Sequence, residues 1–135
     1  KCDADSKLIT NYSVTSASVH DSQRCLIFIG EEDKVLYADS AYSGKPIALA
    51  LPDSCENQIC EKGYRNSPLT SEQKMNNRRK SRIRCRIEHI FGFMTGAMHG
   101  ITIRSIGITR AWMNIGITNL VYNFCRYSYL KRASA

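Results

Sequence analysis

Apolar residues fall at helical spacing over residues 70–100, where Ile83, Ile87, Ile90 and Met94 recur every three or four positions. That spacing puts one apolar stripe on a helix. Thr70 followed by Gln73 is the pattern of a capping box, so a single long helix is predicted over 70–100. A second long helix is predicted over 108–130. Its Ile108, Trp112, Ile115, Val121 and Phe124 lie on most sides of the wheel, and such a helix is expected to be largely buried. Residues 131–135 are expected to fray.

Ahead of the helices the period shortens. Leu8, Thr10, Tyr12 and Val14 fall on one side of a strand over 8–16, which follows a turn at Asp3-Ala4-Asp5-Ser6. A turn so near Lys1 implies that this strand pairs mostly with residues ahead of it. Asp21 or Ser22 is suited to cap a short helix reaching Ile29, which Gly30 and the acidic residues Glu31, Glu32 and Asp33 stop. The run Val35-Leu36-Tyr37-Ala38 reads as a buried strand ending on Asp39. Ala41-Tyr42-Ser43-Gly44 then turns the chain into a helix over 45–51, closed by Pro52. Residues 53–69 read as a loop with a short strand at 58–61. Strands alternating with helices predict an α/β class, with no internal repeat and no second domain.

Composition narrows the partners. The 135 residues suit one domain, and 43% hydrophobic content argues against disorder. A net charge of +7 favours an anionic partner, nucleic acid first and an acidic membrane surface second. No apolar run approaches the ~18 residues of a membrane span, so no membrane partner is expected. The six cysteines contain no C-x-x-C pair and no histidine at zinc-ligand spacing. They read as reduced thiols of a cytoplasmic protein, most of them in the core.

Asp39 is the first candidate for chemistry, because reactive groups of open α/β sheets collect at the carboxyl ends of strands. Equally, an Asp at that place caps the turn or helix that follows. Glu88 is the second, and its plain alternative is a surface ion pair with Arg84 at i, i+4, worth about 0.4 kcal/mol. Taken together, the two carboxylates suit a hard dication completed by phosphate oxygens. Between Lys74 and Arg86 stand seven Lys and Arg residues: Lys74, Arg78, Arg79, Lys80, Arg82, Arg84 and Arg86. Arg78, Arg82 and Arg86 would form one ridge, apt for phosphates of a DNA backbone rather than for bases. His20 and Asp21 are either ordinary structural residues or supports behind the metal ligands. There is no glycine-rich phosphate loop and no G-x-S-x-G.

Three stretches carry a family resemblance. Residues 14–22 read VTSASVHDS, residues 37–44 read YADSAYSG, and residues 84–92 read RCRIEHIFG. Together with IGITRAWMNIGITNLVYNFCRY at 106–127, these resemble, in order, the DDE transposases of bacterial insertion sequences, nearest the group of insertion sequence five. The resemblance implies an RNase H-like fold and a two-metal site holding Mg²⁺ or Mn²⁺. Such a site cuts a phosphodiester at the transposon end and joins the freed 3′-hydroxyl to target DNA. It also implies a homo-oligomer in the active complex and residence in the bacterial cytoplasm, at the nucleoid. Asp39 matches the family's second Asp, within D-x-A-Y, which places Tyr42 beside the metals. Glu88 matches the catalytic Glu, and Arg84 the Arg of Y-x-x-R-x-x-x-E-x-x-x-x-x-x-K.

Two positions depart from that pattern: Ser81 stands for its Tyr and Thr95 for its Lys. The family's first Asp belongs to an earlier strand, and Asp3 and Asp5, in a turn, do not replace it. The expectation is therefore the C-terminal portion of a catalytic domain over residues 1–135, RNase H-like but incomplete at its start, with two long C-terminal helices and inactive alone. The contrasting expectation is a non-catalytic basic DNA-binding fragment, or a decayed relic of a transposase.

Overall fold

A computed structural model describes residues 1–16, 18–19, 24–100 and 102–134. Its contacts gather into two compact units, one of Lys1–Val19 with Arg86–Ala135 and the other of His20–Cys85. The secondary structure is mostly helical, with one small parallel sheet.

In the His20–Cys85 unit, β1 (Val35–Leu36) pairs in parallel with β2 (Glu56–Asn57), Val35 opposite Glu56 and Leu36 opposite Asn57. The ladder runs beyond the strands proper. Amides of Glu56, Gln58 and Cys60 donate in turn to the carbonyls of Lys34, Leu36 and Ala38, at 2.8, 2.9 and 3.0 Å. These are the evenly spaced bonds of a parallel pair. The second strand thus begins two residues ahead of the 58–61 expected for it. Between the strands runs helix α1 (Lys45–Ala50), with a proline in its first turn and Ile47 as its buried residue. Cys55, Ile59 and Cys60 complete the apolar interior of this unit.

Helix α2 (Ser71–Arg84) starts as predicted. Thr70 accepts from the Gln73 amide at 3.2 Å, and Gln73 Oε1 accepts from the Thr70 amide at 2.9 Å. Its facing contacts are polar. Asn77 both accepts from the Glu61 amide (2.9 Å) and donates to the Glu61 carbonyl (3.0 Å), while Lys80 Nζ donates to the Ile59 carbonyl at 2.9 Å. The predicted continuous helix over 70–100 is interrupted at Cys85, whose ψ of −8° leaves the α-helical value. Its thiol donates to the Arg82 carbonyl at 3.1 Å, engaging one of the acceptors that a helix end leaves open.

In the other unit, α3 (Arg86–Gly96) and α4 (Ile108–Ala133) pack around Ile90, Met94 and Tyr122, with Cys2, Ile9, Ile87 and Met98 against them. Strand-like pairing over 8–16 shrinks to one antiparallel bridge, Cys2 with Ile9, so residues at the start of this chain supply the partner. Helix α4 departs from expectation twice. It stays helical through Ala133 rather than fraying from 131. It is also far from largely buried: Trp112, Ile117, Leu120 and Phe124 are each half exposed or more. The covered stripe instead carries Ala111, Ile115, Gly116, Asn119, Tyr122, Asn123 and Arg126. The reason lies in what that stripe meets. The amino-terminal turn presents backbone carbonyls and amides, which call for donors, acceptors and close approach rather than apolar bulk.

Only Cys55 and Cys60 of the six cysteines are fully buried, and Cys125 is exposed, so most are not core residues. No helix of the described residues is long and apolar enough to cross a membrane.

Candidate functional site

Asp39 follows the last ladder bond of β1 directly and caps a single 3₁₀ turn, Ser40–Tyr42. Its Oδ1 accepts from the Ser40 hydroxyl at 3.1 Å and the Ala41 amide at 3.4 Å. The Ser40 bond first, then backbone amides and the charge of Arg84, hold this carboxyl below the usual carboxylate range. The Ser40 hydroxyl and the Ala41 amide meet the same oxygen, Oδ1, and the carboxylate stands at the surface. An exposed, ionised carboxylate at a strand end is the kind of donor a hard dication takes. The capping reading and the ligand reading of Asp39 are therefore compatible. Tyr42 closes the same turn, half buried, its amide on the Asp39 carbonyl at 2.9 Å.

The basic run of α2 separates into engaged and exposed members. Lys80 is engaged with Ile59, and Arg84 lends charge to Asp39. Lys74, Arg78, Arg79 and Arg82 are exposed. A groove along the helix is lined by Lys74, Arg78 and Arg82, with Asn77, Ser81 and Cys85 beside them. These three cations stand at i, i+4 and i+8, so they share one face. The ridge expected at Arg78, Arg82 and Arg86 is thus shifted by one turn toward the helix start, because the helix breaks before Arg86. Lys74 takes the place of Arg86 in it, at a spacing to Arg78 and Arg82 that is plain in the sequence. Ser81 lies 3.8 Å from the buried Cys60 thiol.

In the other unit, Glu88 is exposed in the first turn of α3. Arg86 holds the amino-terminal turn: its guanidinium donates to the Ala4 carbonyl and pairs with Asp5 at 3.3 Å. Asp3 is occupied by the same turn, its Oδ1 accepting from the Ser6 hydroxyl and the Ser6 and Asp5 amides. Thr95 donates its hydroxyl to carbonyls of its own helix, Phe91 at 2.9 Å and Gly92 at 3.2 Å. His89, next to Glu88, has a neighbour that no motif in the chain announces: Lys7 Nζ lies 3.1 Å from its Nδ1.

His20 and Asp21, read as supports for the metals, lie outside the described residues. Among the described residues no three His, Cys, Asp or Glu side chains gather as a metal-binding group. Asp39 and Glu88, each exposed in its own unit, are singly the kind of oxygen donor that a hard dication takes.

Comparison with curated proteins and with solved structures gives no match. Comparison with protein families does: residues 1–124 match the family described as Transposase DDE domain. The match takes in Asp39, the basic run of α2 and Glu88, and members of this family act on DNA with divalent metals. With 124 of its residues so matched, the chain belongs to the DDE transposase family.

Proposed function

We propose that the chain is the C-terminal portion of the catalytic domain of an insertion-sequence transposase of the insertion sequence five group, RNase H-like in fold. The observation that carries this reading is Asp39, an ionised carboxylate just past the last ladder bond of β1, inside a family match that also spans Glu88. Asp39 and Glu88 are the protein's carboxylate ligands for Mg²⁺ or Mn²⁺, and a further carboxylate comes from outside these residues. A bound dication would polarise the scissile phosphate and help ionise the attacking hydroxyl. The chain's own residues hold the substrate. Lys74, Arg78, Arg79 and Arg82 neutralise phosphates of transposon-end or target DNA. Arg84 and Ser40 keep Asp39 ionised, and Arg86 secures the turn at Ala4–Asp5. The working assembly is a homo-oligomer on DNA in the cytoplasm.

The test is a nicking assay with Mg²⁺ or Mn²⁺ on the chain alone and on the chain joined to the residues encoded just ahead of Lys1. The joined protein is expected to nick DNA and the chain alone to be inactive. Glu88→Ala and Asp39→Ala are each expected to abolish nicking; full activity in either removes that residue from the site. The second reading, a non-catalytic DNA-binding relic, takes its support from the absence of a three-acid cluster among the described residues. It is the outcome if the joined protein binds DNA and never cuts it.

A further inference from the structure

We propose that Tyr64 is a stacking platform for an unpaired DNA base beside the phosphate groove of α2, an inference that rests on the reading of this chain as a DNA-acting transposase. Tyr64 is 63% exposed, and Lys62 and Arg65 of the same loop are exposed with it. Lys62 Nζ lies over the ring, 5.8 Å from its centroid. A cation at that distance is drawn to an aromatic face. One open ring between two cations is the mixture that binds a nucleic-acid strand, with charge for the phosphates and a flat face for a base.

The ring is held in place by its loop. Tyr64 and Ser67 exchange both backbone bonds, each at 3.0 Å, and so close a tight turn around Arg65 and Asn66. That turn is clamped to α2. Asn77 takes both the amide and the carbonyl of Glu61, and Gln73 Nε2 donates to the Glu61 carboxylate at 2.6 Å. On the return side, Gly63 lies so close to Leu69 that an added Cβ would meet Leu69 Cγ at 3.2 Å. Both Leu69 and Asn77 line the groove that Lys74, Arg78 and Arg82 share. The residues that fix the turn thus also form a wall of the phosphate groove. An aromatic presented on a clamped turn needs little further ordering to bind.

The state of the base follows from stacking. Inside a duplex both faces of a base are covered by its neighbours, so a side-chain ring finds an open face on an unpaired base. Every base has such a face, so the platform selects unpaired nucleotides without selecting their sequence.

The experiment measures binding of the full chain, by fluorescence anisotropy, to a blunt DNA duplex and to the same duplex with a short unpaired extension. The parent is expected to prefer the extended duplex. Tyr64→Ala is expected to lose about tenfold in affinity for the extended duplex and to bind the blunt one as the parent does. Tyr64→Phe keeps the preference, since the hydroxyl takes no part in stacking. Tyr64→Leu keeps apolar bulk without an aromatic face and loses it. A 5-iodouracil placed in the extension is expected to crosslink to Tyr64 on irradiation. Parent-like preference in Tyr64→Leu would overturn the platform, as would a parent that does not prefer the extension. An equal loss on both DNAs in Tyr64→Ala would also overturn it, because that marks a disturbed turn and not a lost stack. If Arg78→Ala with Arg82→Ala weakens binding to both DNAs while Tyr64→Ala changes neither, the platform alone fails. If the parent binds neither DNA, the transposase reading of these residues fails with it.

Discussion

Asn123 closes two hydrogen bonds with the backbone of Ile9, accepting from its amide and donating to its carbonyl, both at 2.8 Å. The side-chain amide thus does for Ile9 what a neighbouring strand would do. Tyr122 and Arg126, on the same helix, take the carbonyls of Lys7 (3.0 Å) and Ser6 (2.7 Å). The amino-terminal segment is held to α4 largely through its backbone. Asn123→Ala would leave an amide and a carbonyl of a part-buried residue unpaired, at a cost of about 2 kcal/mol. Urea unfolding followed by Trp112, the single tryptophan and a residue of the same helix, reads this directly. Asn123→Asp should be worse than Asn123→Ala, because a carboxylate would face the Ile9 carbonyl. An unchanged midpoint in Asn123→Ala would mean the pair contributes nothing.

The basic run makes opposite predictions for its two kinds of member. Replacing Lys74, Arg78 and Arg82 together with Ala should leave the melting temperature nearly unaltered, since all three are exposed. The salt slope of DNA binding should fall by about 0.9 for each phosphate that is no longer neutralised. Lys80→Ala should do the reverse. It strips the Ile59 carbonyl of its partner, costing about 1 kcal/mol of stability, and leaves the slope alone. Thermal melts and binding titrations on the two variants decide the matter. A reduced slope in Lys80→Ala would put that residue on the DNA-facing side after all.

Much of the His20–Cys85 unit is legible in the sequence because its signals are local. The Thr70–Gln73 capping box, helix α1 and the strand just ahead of Asp39 each depend on residues a few positions apart, although that strand is shorter than the predicted 35–38 and its Val35 is exposed rather than buried. The break at Cys85 is not legible, since Ile83, Ile87, Ile90 and Met94 keep helical spacing straight across it. Hydrophobic periodicity counts phase, and a brief loss of helical ψ disturbs phase little. The fate of α4 is hidden for another reason. Its covered stripe is chosen by the backbone of residues 6–9, and no pattern within 108–133 records a partner so distant in the chain. For the site, the place of Asp39 just past the ladder of β1, where it caps the next turn, is readable from residue order. The left-handed Lys7 beside His89 is not, because a lysine carries no local sign of positive φ.

Gly116 sits where an added methyl would meet the ring of Tyr12, with Cζ at 3.2 Å and the hydroxyl nearer still. Tyr12 in turn stacks on Trp112, ring centroids 5.5 Å apart. In a helix interior Gly→Ala ordinarily stabilises by about 1 kcal/mol. Here the gain is offset by disruption of the aromatic pair, which is worth a similar amount. Gly116→Ala should therefore melt close to the parent while Tyr12 leaves Trp112. The emission of Trp112 should shift to the red and its quenching by acrylamide should increase. An unaltered spectrum would show that Tyr12 accommodates the methyl in place.

Acid should loosen the amino-terminal turn through Asp3. The Ser6 hydroxyl bond first, with amide bonds from the same turn, holds the Asp3 carboxyl below its ordinary value in the folded chain. The sign follows from linkage: a group whose folded pKa is depressed contributes stability above its unfolded pKa of about 3.9 and loses it as pH falls through the folded value. Urea midpoints read by Trp112 should owe a constant contribution to Asp3 near neutrality and begin to lose it below about pH 4. Asp3→Asn keeps an acceptor oxygen but removes the charge, so its midpoint should lie below the parent's at neutral pH. The two curves should then converge as acid protonates Asp3 in the parent. A gap that persists undiminished well below the unfolded pKa would show that the lost stability comes from the altered side chain and not from the ionised carboxylate.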